Sequence, residues 1–130
     1  MKNVVDSSGW LEYFAGGANA NFFAPPIQAT DRLIVPAICI YEVFKRVLAQ
    51  TGEEEALRIA GIMSMATVAP LDRDIALEAA RVSLEHKLAM ADSVILATAQ
   101  LYDAILWTQD EHFNGVAGVR FTPKSTGASR

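Results

Sequence analysis

The sequence predicts an α/β domain with a central parallel sheet of four to five strands flanked by helices. Three observations predict it. Short apolar runs alternate along the chain with longer stretches of helical period, and strands separated by helices pair in parallel through crossover connections. The chain has 130 residues, a length that one hydrophobic core fills and two would crowd. Hydrophobic residues make up 52% and charged residues 20%, a balance that leaves ample apolar surface to bury and excludes a disordered chain.

Lys2 to Val5 reads as the first strand and stops at Asp6. Ser7 and Ser8 stand where either can cap a helix carrying Trp10, Leu11, Tyr13 and Phe14, and Gly16-Gly17 closes that helix. The stretch from Ala18 to Asp31 contains Pro25-Pro26 and reads as a flexible flap, a loop with room for one short helix. Leu33-Ile34-Val35 is the second buried strand, and Pro36 opens a helix running to about Gln50. Thr51 is placed to cap a further helix from Glu53 to about Ala66, whose acidic first turn suits the helix dipole.

Thr67-Val68-Ala69 is a weak third strand, followed by an amphipathic helix from Leu71 to Lys87 with Ile75, Leu77, Ala79 and Val82 among its apolar positions. Asp92 then opens a mostly apolar helix through Tyr102. Ile105-Leu106-Trp107 is a buried strand leading into Thr108-Gln109-Asp110, and Val119-Arg120-Phe121 reads as a last edge strand. Residues 1–123 form one domain on this reading, and the small polar tail 124–130 reads as disordered.

The net charge is −4 and the pI about 5.1, so the global field does not draw this chain onto a phosphate polymer; any such binding needs added positive charge. The single cysteine, Cys39, lies in an apolar run and reads as a small buried hydrophobe. No disulfide framework exists, which matches a reducing compartment. Asp6 follows too soon for a signal peptide, and Pro, Gly or Ser break the apolar stretches before the roughly 20 residues of a membrane helix. The expected location is the cytoplasm, with no membrane partner.

Ligands of a parallel α/β sheet bind outside the carboxyl ends of its strands, which singles out Asp6 and Asp110, each directly after a strand. Asp6 is either a site carboxylate or a helix N-cap, and the adjacent serines compete for the second role. Asp110 is either a site carboxylate or a turn residue of Thr-Gln-Asp-Glu. Glu42 is the only charge between Pro36 and Phe44. At 100° per residue, Ala37, Ile40, Tyr41, Phe44 and Leu48 share a face and Glu42 points away from it into solvent; the flanking Ile38, Cys39 and Val43 favour a cleft instead. Asp92 is either a cap or a ligand kept ionised by the helix N-terminus.

Four segments together resemble one family: Val-Val-Asp-Ser-Ser-Gly-Trp, Val-Pro-Ala-Ile-Cys-Ile-Tyr-Glu-Val-Phe-Lys, Met-Ala-Asp-Ser-Val-Ile-Leu-Ala-Thr-Ala and Leu-Trp-Thr-Gln-Asp-Glu-His-Phe. In this order, over about residues 2 to 123, they are similar to the PIN domains of VapC toxins. The resemblance implies a PIN-like fold and metal-dependent endonucleolytic cleavage of RNA. It implies catalytic and metal-binding roles for Asp6, Glu42, Asp92 and Asp110 around Mg²⁺ or Mn²⁺, with Ser7 and Thr108 as supporting residues. It also implies a VapB-type antitoxin partner and a homodimer. Ala89 departs from the proline many relatives carry there, which leaves the entry to the Asp92 helix looser.

Two carboxylates about 4 Å apart repel by roughly 4 kcal/mol at an effective dielectric near 20, so four gathered acids call for a cation. Oxygen ligands suit Mg²⁺ or Mn²⁺, and no Cys/His spacing points to zinc. A divalent ion polarises a phosphoryl oxygen and activates water while a carboxylate orients the attack, and its charge inverts the local sign of an acidic protein. Lys45 and Arg46, one turn beyond Glu42, are candidate RNA-phosphate contacts, against the alternative of a solvated helix face. His86 reads as a helix-surface residue; His112 reads as a loop residue, with a proton donor as its alternative.

Two rivals stand beside the nuclease. A receiver-like phospho-accepting domain would carry an acidic pair at the first strand, where Asp6 is followed by serines. A catalytically silent PIN-like binding module would have lost an acid, and all four are present. Apolar residues Leu57, Ile59, Ile62, Met63 and Met65 exceed what one helix face needs, leaving surface for a partner.

Overall fold

A computed structural model describes residues 1–125. The first strand, β1 (Lys2–Val5), runs into helix α1 (Ser7–Ala15) with Asp6 as the sole link between them. Then follow α2 (Ala20–Gln28), a 3₁₀ turn at Thr30–Arg32, β2 (Ile34–Pro36), α3 (Ala37–Gln50), α4 (Glu53–Met63) and β3 (Thr67–Ala69). The chain continues through α5 (Arg73–His86), α6 (Met90–Leu101), β4 (Ala104–Thr108), a 3₁₀ turn at Glu111–Phe113 and β5 (Val119–Phe121).

All strand pairs are parallel, but they form two ladders, β1-β4-β5 and β2-β3, rather than one continuous sheet of four to five strands. A single parallel bridge between Asn3 and Leu33 joins the ladders, giving the spatial succession β3-β2-β1-β4-β5. The short β2 and β3, three residues each, leave too little backbone for a second rung between the halves. The chain builds outward on one side of β1, then returns to build β4 and β5 on the other. The carboxyl ends of β1 and β4 therefore adjoin at the point where the succession reverses, the place where such sheets bind ligands.

Helices cover the sheet on both faces. Val4 and Val5 are consecutive, so their side chains point to opposite faces, and both are fully buried. The near-continuous apolar strands read in the sequence follow from this two-sided burial. Helix α6 packs against β1, β2 and β4, α5 packs on α6, and α3 and α4 pack on each other.

Several local expectations change. The stretch 18–31 does hold the one short helix that the sequence leaves room for, but helix rather than loop dominates it: α2 contains both prolines, and Phe23, Pro26 and Ile27 are buried. Proline removes backbone donors from a helix, and burial of this apolar face offsets the loss. Phe22 meets Phe23 edge-on at 4.9 Å and Trp107 at 5.2 Å. Gly52, not Thr51, caps α4, without any side-chain bond, and α4 ends at Met63 rather than near Ala66. Helix α5 begins after Asp72, whose carboxylate accepts from the Ile75 N–H at 2.9 Å. On α3 the buried positions are Cys39, Val43 and Val47, while Tyr41 and Leu48 of the expected apolar stripe are exposed. The expected disordered tail, 124–130, lies largely outside the described residues. Among those described, no helix is long and apolar enough to cross a membrane.

Gly9 sets how closely α1 approaches the sheet. A Cβ there would stand 2.6 Å from Phe23 Cε1 and 2.7 Å from Val5 Cγ1, both in fully buried residues with no room to retreat. Gly9→Ala gains about 1 kcal/mol of helix propensity but overpacks the core, a cost of about 1–3 kcal/mol. We expect this variant to be net destabilised by up to about 2 kcal/mol, and urea unfolding checks the sign; a gain in stability would mean that α1 can shift freely.

Candidate active site

Asp6 is the one residue between β1 and α1, and it serves both elements. Its N–H donates to the Trp107 carbonyl at 3.2 Å, extending the β1–β4 pairing by one bond. Its Oδ1 accepts from the Gly9 N–H at 2.8 Å and so caps α1. The serines do not cap the helix. Ser8 Oγ donates to the Asp6 carboxylate at 3.0 Å, and Ser7 Oγ donates to Glu42 Oε1 at 2.6 Å. Of the two readings of Asp6 that compete in the sequence, the cap is observed, and the same residue also lines a cleft.

Thr108 closes the environment of Asp6 from the end of β4. Its hydroxyl donates to Asp6 Oδ2 at 2.5 Å and accepts from the Asp110 N–H at 2.9 Å. Both Thr108 and Asp6 are buried. Burial pushes the Asp6 carboxyl up to about 6, against the hydrogen bonds from Thr108, Gly9 and Ser8 that favour its ionised form, and the nearby charge of Asp110 adds to the rise.

The other acids arrive from separate elements. Asp92 is the third residue of α6, which Ala89 caps without a side-chain bond, so Asp92 is not the cap and its carboxylate is left to the cleft. Its carboxyl is raised first by burial, then by Asp110 and Glu42, and is lowered by His112. Glu42 is half-buried on α3 and not on a solvated face, because that helix turns Cys39 and Val43 into the core. Asp110 is both turn residue and cleft residue: it accepts from the His112 N–H at 2.9 Å. Cys39 is buried with Sγ 3.8 Å from the Val5 carbonyl; burial, with the charges of Asp6, Glu42 and Asp92, pushes its thiol up and keeps it inert.

Asp6, Glu42, Asp92 and Asp110 line one cleft of about 490 Å³, with Lys45 and Arg46 along its side. Lys45 Nζ lies 5.6 Å from the centre of the Tyr41 ring, and Arg46 makes no ion pair among the described residues. The donor atoms of Asp92 and Asp110, which line the cleft, and of the exposed His112 lie within 4.8 Å of one another. That grouping takes in His112, which the sequence presents as a loop residue, and does not include Asp6 or Glu42. The sequence signal for it is the two-residue step from Asp110 to His112. Ser8, on the Asp6 carboxylate, is the other contributor the sequence did not assign to the site.

The donors fit a divalent cation. Positive charge would relieve the repulsion that Asp110 and Glu42 exert on Asp92, and carboxylate oxygens with one imidazole nitrogen form a ligand set for such ions.

The family profile of the PIN domain matches residues 4–119. Among solved structures, a toxin–antitoxin complex from Klebsiella pneumoniae is 27% identical with a TM-score of 0.78, covering 95% of this chain and 98% of that one. A DNA-bound VapBC complex from Salmonella typhimurium is 16% identical with a TM-score of 0.73, covering 95% and 98%. A VapC toxin from Mycobacterium tuberculosis that cleaves the sarcin-ricin loop is 16% identical with a TM-score of 0.72, covering 89% and 95%. No curated protein sequence matches significantly.

The buried Asp6 ties stability to pH. The folded protein holds its proton up to about pH 6, whereas an unperturbed aspartate releases it near 3.8. The stabilisation is therefore complete below about pH 4 and is lost as pH rises through 6, a loss of roughly 3 kcal/mol if fully expressed. We expect metal-free protein to lose unfolding free energy across this window and Asp6→Asn to flatten the decline. Parallel slopes for the two proteins in urea melts between pH 4 and 7 would show that Asp6 is ionised throughout.

Proposed function

The chain belongs to the PIN-domain family, and from that premise we propose that it is a metal-dependent endoribonuclease, the toxin half of a VapBC-type toxin–antitoxin pair. The observation that carries the reading is the convergence of Asp6, Glu42, Asp92 and Asp110 on one cleft at the point where the strand succession reverses. Cleavage of the sarcin-ricin loop is named for the mycobacterial relative, a toxin–antitoxin complex for the Klebsiella relative and a DNA-bound VapBC complex for the Salmonella relative.

Mg²⁺ or Mn²⁺, held by Asp92 and Asp110 with Asp6 and Glu42 beside them, would supply Lewis acidity towards a phosphoryl oxygen and a water. The chain's own groups do the rest. Thr108, Ser8 and the Gly9 N–H fix the Asp6 carboxylate in one orientation, so little reorganisation is left for the reaction itself. Ser7 does the same for Glu42. The proton affinity of the half-buried Asp92, raised by burial and by Asp110 and Glu42, would fall beside a cation, which leaves its carboxylate ionised and available to hold the ion. Lys45 and Arg46 supply the local positive charge that an acidic protein otherwise lacks, and they would hold phosphates flanking the scissile bond.

Protein partners fit the surface. Of the apolar residues the sequence singles out for a partner, Ile59 and Met63 are core, while Leu57 on α4 is 56% and Met65, just beyond that helix, 73% exposed. We assign such surfaces to the antitoxin and to a second copy of the chain. Retention of every acid in the cleft favours the nuclease over the catalytically silent alternative.

Asp6→Asn and Asp92→Asn should each lower RNA cleavage by at least about 100-fold, since each removes a charged group from the reacting centre. Both should keep the circular dichroism of the parent. Mapping of cuts on total RNA with Mg²⁺ or Mn²⁺, and again with chelator, is the measurement; wild-type turnover by either variant, or cleavage indifferent to chelator, contradicts the proposal. Lys45→Ala with Arg46→Ala should raise KM more than it lowers kcat, the pattern of groups that bind the polymer without touching the reacting bond.

A further inference from the structure

We infer that His112 is itself a metal ligand, its Nδ1 forming with Asp92 and Asp110 a mixed oxygen–nitrogen site that prefers Mn²⁺ to Mg²⁺. This rests on reading the cleft as a divalent-cation site and deepens that reading by naming the donor that sets cation choice.

The spacing of His112 and Asp110 matches that of adjacent ligands on one ion, and Asp92 is near enough to complete the set. His112 Nδ1 lies 3.0 Å from Asp110 Oδ1. Two adjacent ligands of an octahedral ion with bonds of about 2.1 Å are separated by about 3.0 Å, and opposite ligands by about 4.2 Å. The three donor atoms of Asp92, Asp110 and His112 all fall within 4.8 Å of one another. A surface ion pair would account for the Asp110 contact alone. It gives no reason for the half-buried Asp92, from a different helix, to converge on the same point.

The backbone templates the arrangement. The Asp110 N–H is held by Thr108 Oγ1 at 2.9 Å, and the His112 N–H is held by Asp110 Oδ1 at 2.9 Å. Phe113, the next residue, is fully buried and pins the turn to the core. The imidazole is thereby kept on the same side as the Asp110 carboxylate while its side chain stays 74% exposed, open to an ion entering from solvent. Asp6 is differently placed, since both its oxygens already accept protein hydrogen bonds; its role is to present a fixed charge rather than to lead the ligand set.

The chemistry follows from ligand type. Mg²⁺ is hard, demands oxygen donors and sheds water reluctantly. Imidazole nitrogen favours first-row transition ions, and Mn²⁺ accepts both carboxylate and nitrogen ligands. Replacing one oxygen by nitrogen thus weakens the hold on Mg²⁺ relative to Mn²⁺.

The full chain, stripped of metal, would be titrated calorimetrically with Mn²⁺ and with Mg²⁺. Bound Mn²⁺ would then be examined by pulsed electron paramagnetic resonance, which detects a directly bonded ¹⁴N. The wild type should show nitrogen modulation and bind Mn²⁺ more tightly than Mg²⁺. His112→Ala keeps the backbone bond to Asp110 and should fold normally. It should lose the modulation, weaken Mn²⁺ binding by about tenfold or more, and leave Mg²⁺ binding within about twofold. Mn²⁺ bound without nitrogen modulation, modulation that survives in His112→Ala, or equal wild-type affinity for the two ions overturns this inference and leaves the cation site standing. Failure of either ion to bind would overturn the reading of the cleft itself.

Discussion

The carboxylate of Asp6, enclosed between the ends of β1 and β4, is the constraint around which the rest of this protein is arranged. A buried carboxylate without partners is unfavourable by several kcal/mol. Here the N–H of Gly9 and the hydroxyls of Ser8 and Thr108 all point at it. Each donor depends on a different piece of architecture. Gly9 requires α1 to begin at once after the strand, and Thr108 requires β4 to lie beside β1 in a register that pairs Val5 with Trp107. The absence of a side chain at Gly9 lets α1 press close enough to complete the cage. Through its second hydrogen bond Thr108 passes the order on to the Asp110 backbone, and through that to the turn bearing His112.

This arrangement resolves an apparent conflict in the charges. The chain is acidic overall and gathers further negative charge in one cleft, yet its proposed ligand is a polyanion. Burial and mutual repulsion raise the proton affinity of Asp6 and Asp92, so the cleft carries stored electrostatic free energy that a divalent cation releases. Lys45 and Arg46 lie one turn along α3 from Glu42, near enough to extend the positive region without neutralising the acids.

Where the sequence was legible, the signal was local. The strand-to-helix step at Asp6, the strand leading towards Asp110, the isolated charge of Glu42 and the proline at the start of α3 are features of neighbouring residues; the structure moves only the details, with Pro36 ending β2 and capping α3 and β4 ending two residues before Asp110. The errors also have identifiable causes. Pro25-Pro26 reads as a loop because proline opposes helices, but burial of Phe23 and Ile27 outweighs that preference. Thr51 is a better capping residue than Gly52, yet the positive φ of 112° needed there selects glycine. The apolar stripe on α3 was drawn through Tyr41 and Leu48 because periodicity alone cannot say which of two apolar faces meets the sheet. His112 went unassigned because its partner Asp92 lies in another helix.

Periodicity, capping residues and turn chemistry act between residues a few positions apart, so the chain's order alone determined the α/β class, the alternation of its elements and the candidacy of four acids. Which candidates meet was decided by the tertiary structure. Ser7 and Glu42 are separated by 35 positions and Asp6 and Thr108 by 102, and only the crossing of the chain from one side of β1 to the other closes those distances. Burial, the raised proton affinities and the entry of His112 into the donor set arise from that closure, because each is a property of what surrounds a side chain in space rather than of what precedes it in sequence.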